Sequence, residues 1–181
     1  MSSFDTTPIP SSASIWPTAV KSGLIAGVVG ILSVMLFYNM GLMEPGNTFG
    51  SIITTVITIA IGIVIVYFGL KSYRDGSNGG NLSLGKGLLW SLGYGVIAAV
   101  IGIAFSFVFF NFLAPDFIPN MMELQYAELE EQGMGEDEIE AAQSMMSIFM
   151  SPISFAIFGA FGQMFYAVVE GLVASLMLKT N

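Results

Sequence analysis

A carboxylate stands where a carboxylate is costly. Glu170 is the only Asp, Glu, Lys or Arg well inside any of the chain's long apolar runs, and it lies nine residues before Lys179. At 1.5 Å per residue that is roughly 13 Å, close to mid-bilayer. A carboxylate at a helix centre costs about 2.5–3.5 kcal/mol on insertion scales, so such residues face a bundle interior or a wet cavity. Gln163 and Tyr166 precede it by seven and four residues and share its helix face. The same depth along the other runs reaches Gly30, Gly62 and the pair Tyr94 and Gly95. Glycines at one level leave room for a side chain, so Glu170 is expected to point into that layer, bonded to Tyr94 or Ser91. One chemistry that fits is a proton or cation site of the kind transporters use. The other is a neutral, hydrogen-bonded carboxyl that fixes helix packing or meets a basic residue of a partner.

A second candidate is the segment Pro115 to Gln143, which has no basic residue and carries Glu123, Glu128, Glu130, Glu131, Glu136, Asp137, Glu138 and Glu140. These carboxylates could dock a basic partner or gather cations, or simply keep a loop soluble. A calcium site is not expected: Glu136, Asp137 and Glu138 are adjacent, would splay around a helix, and lack EF-hand spacing.

Other chemistry is excluded by composition. The chain has no Cys and no His, which removes disulfides, thiolate metal sites, thiol nucleophiles and the commonest general base. A net charge of −8 opposes nucleic-acid binding, which needs a basic footprint. Gly80 to Gly87 spells GxxxxGK, but Gly87 stands where a nucleotide-binding loop needs Ser or Thr, and an apolar span follows in place of an α/β domain. No nucleotide is expected, and Ser83 reads as a helix cap. The methionines around the acidic segment, among them Met121, Met122 and Met145, suit irregular apolar contacts better than a copper site. No cofactor, no metal and no catalytic residues are expected; the chain does not read as an enzyme.

The elements that position Glu170 follow from hydrophobicity. With 54% hydrophobic and 10% charged residues in 181, the chain cannot cover a water-soluble globule, whose charged share is about a quarter. Four runs are long enough for a hydrocarbon core of about 30 Å: 23–42, 50–70, 87–113 and 153–178. The expected fold is all-α, a four-span bundle over 19–179 preceded by a disordered tail, 1–18. Lys21, Lys71, Arg74, Lys86 and Lys179 all fall on one side of this arrangement, which predicts both termini in the cytoplasm. The acidic segment then lies outside. Within it Met122, Tyr126 and Leu129, and then Ile139, Ala142, Met146 and Phe149, recur at helical spacing on either side of Gly133 and Gly135, so a helical hairpin is expected over about 115–150. Gly23 and Gly27 form a GxxxG pair, and Gly159 and Gly162 make the fourth span small on one face; both suit helix packing, within the chain or between copies.

The order of short motifs adds a resemblance. Tyr73-Arg74-Asp75 closes span two, Gly79 to Gly85 (GGNLSLG) opens span three, and Phe110-Asn111-Phe112, Pro115-Asp116-Phe117 and the Glu136 to Glu140 run follow it. Over Ala19 to Lys179 the chain resembles the bacterial domain of unknown function 4199 family of four-span inner-membrane proteins. The resemblance implies a multi-pass protein of the inner membrane and brings no activity and no site residue. The residues themselves favour a non-enzymatic accessory module that binds an envelope protein or itself, with a small oligomeric channel or proton-coupled transporter using Glu170 as the alternative.

Overall fold

The structure, a computed structural model, describes residues 13–180, the side chain of Glu136 excepted. Most of the expected N-terminal tail lies outside the described residues. Six α-helices follow: α1 (Trp16–Asn39), α2 (Thr48–Ser72), α3 (Leu84–Val108), α4 (Phe117–Glu131), α5 (Glu136–Phe149) and α6 (Pro152–Leu178). Four of them, α1, α2, α3 and α6, are long and apolar enough to cross a membrane.

Local chemistry sets their ends. Pro17, in the first turn of α1, needs no backbone hydrogen bond there, and α1 accordingly begins at Trp16, ahead of the apolar run itself. The Asn47 side chain caps α2 by accepting from the Gly50 amide at 2.8 Å. Ser83 caps α3 by accepting from the Lys86 amide at 3.3 Å, and Ser151 caps α6 through the Ser154 amide at 3.1 Å. Gly133, at φ 76°, terminates α4 in a backbone region that side chains disfavour. Spans two and three are each prolonged by a π-helical turn, Tyr73–Ser77 and Phe109–Leu113. Apolar periodicity does not foretell such turns.

Around the bundle the helices run α1, α3, α6, α2 and back to α1, and α2 scarcely touches α3 across the middle. All five cations of the chain, and the ends of α1 and α6 nearest the termini, gather at one end, here the basic end. A small network ties that end together. The Leu82 amide donates to Thr180 Oγ1 at 2.9 Å and the Thr180 amide donates to the Leu82 carbonyl at 3.1 Å. Arg74 donates from Nη1 to the Leu178 carbonyl at 3.2 Å and pairs with Asp75 at 2.7 Å. Opposite it, at the acidic end, α4 and α5 carry the chain from α3 to α6.

Glycines and small residues set the helix contacts. Gly87, Gly95 and Gly171 bring α3 and α6 together: a Cβ at Gly171 would strike Ser91, one at Gly87 would strike Ser175, and one at Gly95 would press on Ala167. The GxxxG pair of α1 faces α3, Gly23 against Tyr94 and Ile97, and Gly27 against Ile101. Both glycines are thus used inside the chain. Gly159 and Gly162 have nothing within 4 Å of a would-be Cβ.

Packing is uneven along the bundle axis. The largest cluster of buried apolar residues, among them Val66, Leu70, Tyr73, Trp90 and Leu178, belongs to the basic half. Trp90 is fully buried, its ring stacks on Tyr94 with centroids 5.9 Å apart, and its Nε1 donates to Thr18 Oγ1 at 2.8 Å. At the acidic end a smaller aromatic group surrounds Phe109, which meets Tyr38 edge-on at 5.3 Å and Phe117 at 6.1 Å. Between these two plugs the bundle is not filled.

Candidate functional site

The unfilled space is a half-enclosed cavity of about 230 Å³ to which all four spans contribute. Glu170 lies at its basic-half limit, only 3% exposed. The Tyr94 hydroxyl donates to Glu170 Oε2 across a long 3.4 Å hydrogen bond, and Gln163 lines the same cavity. On the opposite wall Gly62 of α2 comes so close that a Cβ there would fall within the Glu170 carboxyl. Glu170 therefore occupies space that only a glycine on α2 leaves free.

From this carboxyl the cavity runs toward the acidic end, as far as Phe37 and Phe105. Ser33, Thr58, Ser106 and Tyr166 line the way, one from each span. A water's share of liquid volume is about 30 Å³, so the cavity has the volume for several waters, with the polar partners concentrated near Glu170, Gln163 and Tyr166. Toward the basic end the stacked Tyr94 and Trp90 rings and the cluster behind them close the path. The buried carboxyl thus lies at one end of a space bounded by the Trp90 group on the basic side and by the Phe109 group on the acidic side.

Of the residues expected to share a layer, Glu170, Tyr94, Gly62 and Gly30 line this cavity, as do Gln163 and Tyr166, expected on the same helix face as Glu170. Gly95 does not, because its face meets Ala167 along the α3–α6 seam. Ser91 is not a partner of Glu170 either: its hydroxyl donates to the Gly87 carbonyl one turn back at 3.0 Å, a bond any helical serine can make to its own backbone. The sequence reading missed Ser33, Thr58 and Ser106. A hydroxyl in an apolar run carries little signal, since it can bond its own helix, as Thr58 does to the Thr54 carbonyl at 2.7 Å.

The second candidate set is placed differently. Glu123, Glu128, Glu130 and Glu131 lie on α4, and Asp137, Glu138 and Glu140 on α5, all exposed; the Glu136 side chain lies outside the described residues. Glu138 is used locally, accepting from the Gly135 amide at the start of α5 at 3.2 Å. No described residue of α5 is buried. Among the described residues no group of three or more Asp or Glu side chains converges as a metal site would require.

Four apolar spans around an inward-facing carboxyl define the class: a small multi-pass membrane protein with an intramembrane cavity that holds one buried carboxyl. Residues 21–180 match the family described as Protein of unknown function (DUF4199), and the chain belongs to that family. No curated protein and no solved structure matches it.

Proposed function

We propose that this protein is a proton-coupled transport module of the cell inner membrane, in which Glu170 takes up a proton through the cavity. The basic end faces the cytoplasm, following the bias of Lys and Arg toward that side, so loading from outside requires the aromatic group around Phe109 to open. The observation that carries this reading is the placement of a carboxyl, 3% exposed, at the basic-half limit of a half-enclosed intramembrane cavity to which all four spans contribute. A carboxyl needed for packing alone does not require unfilled space beside it, reached also by Gln163 and Tyr166. A continuous pore is disfavoured by the packing at both ends of the cavity, so release to the cytoplasm requires Trp90 and Tyr94 in turn to part from the helices around them, in the alternating manner of transporters. Four spans are few for a transporter protomer, and a homo-oligomer is the expected working form.

The test is proton uptake into liposomes carrying an internal pH dye, with the purified chain reconstituted under an imposed pH gradient. Uptake should exceed that of protein-free liposomes and fall about tenfold in Glu170→Gln, while the variant elutes and assembles as the wild type does. Equal uptake by the two proteins, or none above lipid alone, would sink the transport reading.

A second reading rests on α5. Although Phe149 stacks against Phe158 of α6, α5 has no fully buried described residue and bears exposed Met145, Ile148 and Phe149 beside its carboxylates, which leaves much of its apolar face to cover. In the accessory reading α4 and α5 form an outer acidic hairpin that docks a basic envelope protein. A stoichiometric partner that copurifies with the whole chain and is lost on deleting 120–143 would favour it.

A further inference from the structure

We propose that the groove between α1 and α2 at the basic end holds one anionic phospholipid, its phosphate at Lys21 and one acyl chain against the helix pair. The groove is a space of about 310 Å³ distinct from the Glu170 cavity. Lys21 and Ser72 stand at its basic-end rim, while Ile25, Val64 and Phe68 line it at greater membrane depth. Its floor is Gly69, where α2 approaches so closely that a Cβ would strike Ser22 and the Trp90 ring. Beyond that point of contact the two helices leave a slot, and its side walls are open: Ile25, Val64 and Phe68 are exposed on the bundle surface.

Charge and depth select the occupant. Among the described residues Lys21 makes no ion pair, the sole one being Arg74 with Asp75. Lys71 adjoins Ser72 at the same rim, and both Lys21 and Lys71 are exposed. An ammonium at the headgroup level above an apolar slot presents charge to a phosphate and hydrocarbon to a chain, the pattern by which basic residues beside membrane helices bind anionic lipids. A Lys stem can lie along the slot while its head stays in the polar layer. A free phosphate could satisfy Lys21 but would leave the slot unfilled; a zwitterionic lipid could fill the slot but would bring its own cation to Lys21. An anionic phospholipid answers both halves.

Native mass spectrometry of the intact chain, released from detergent micelles doped with phosphatidylglycerol or phosphatidylcholine, reads this directly. One phosphatidylglycerol should survive activation that strips the rest, with phosphatidylcholine retained about tenfold less. Lys21→Gln, which removes the charge, and Val64→Trp, which fills the slot from its exposed wall, should each lower retention about tenfold. Lys179→Gln, an equal loss of charge elsewhere at the same end, should leave retention unchanged. An excess of inorganic phosphate should not displace the lipid. Equal losses in Lys21→Gln and Lys179→Gln would mean diffuse attraction and overturn the site; so would displacement by phosphate, full retention in Val64→Trp, or equal retention of phosphatidylcholine.

Discussion

Trp90→Ala is expected to destabilise the bundle by about 3 kcal/mol, the low end of the range for emptied aromatic core sites. The low end applies because lipid tails are as apolar as the core, so moving the ring out of the bundle costs packing and not hydration. The ring is fully buried and stacks on Tyr94, and its Nε1 donates to Thr18; a hydrogen bond between membrane helices adds about 0.6 kcal/mol on average. It also reaches the space that Gly69 leaves open on α2, so the ring links three of the four spans. Steric trapping in bicelles measures the effect, and the absence of Cys in the chain lets two labelling cysteines be introduced without interference. Leu32→Ala is the control: Leu32 is 63% exposed, faces lipid and should change stability by well under 1 kcal/mol. Equal losses in the two variants would show that the basic half is not the cohesive part of the bundle.

That unevenness was beyond the sequence for a physical reason. The four spans were legible because apolar runs of membrane length are separated by turn residues, and the depth of Glu170 because a lone carboxylate in such a run can be counted from Lys179. Tyr94 and Gly62 followed from the same count. Which face of each span turns inward is another matter. A helix apolar all round gives no stripe to mark its buried side, so Gly95 and Ser91 could be placed at the right depth and still face the α3–α6 seam or their own backbone. The order α1, α3, α6, α2 depends on contacts such as Gly23 with Ile97 and Gly62 with Glu170, which are complementary shapes and not patterns within one segment. The π-helical turns after α2 and α3 were equally hidden, since they depend on what the chain packs against: Tyr73, in the first of them, donates to the Ala13 carbonyl at 3.0 Å.

The approach of Gly62 to Glu170 makes the strongest case that the carboxyl is held in place and not merely tolerated. Gly62→Ala should destabilise the protein by about 2 kcal/mol, within the range for overpacked interiors, even though alanine favours a helix over glycine by about 1 kcal/mol. The two terms have opposite signs, and the steric one wins only while the carboxyl occupies its place. In a Glu170→Ala background the obstacle is gone, so the same substitution should become neutral or stabilising. The pair would then show a coupling of about 2 kcal/mol, where independent sites add to within about 0.5 kcal/mol. Gly159→Ala, with open space at its Cβ position, should show no such dependence on residue 170. Proton uptake gives a second reading of the same geometry: with α2 pushing the carboxyl aside, Gly62→Ala should lose transport although Glu170 is retained. Additive stabilities across the four proteins would mean that α2 yields freely, and Gly62 would then have no part in positioning Glu170.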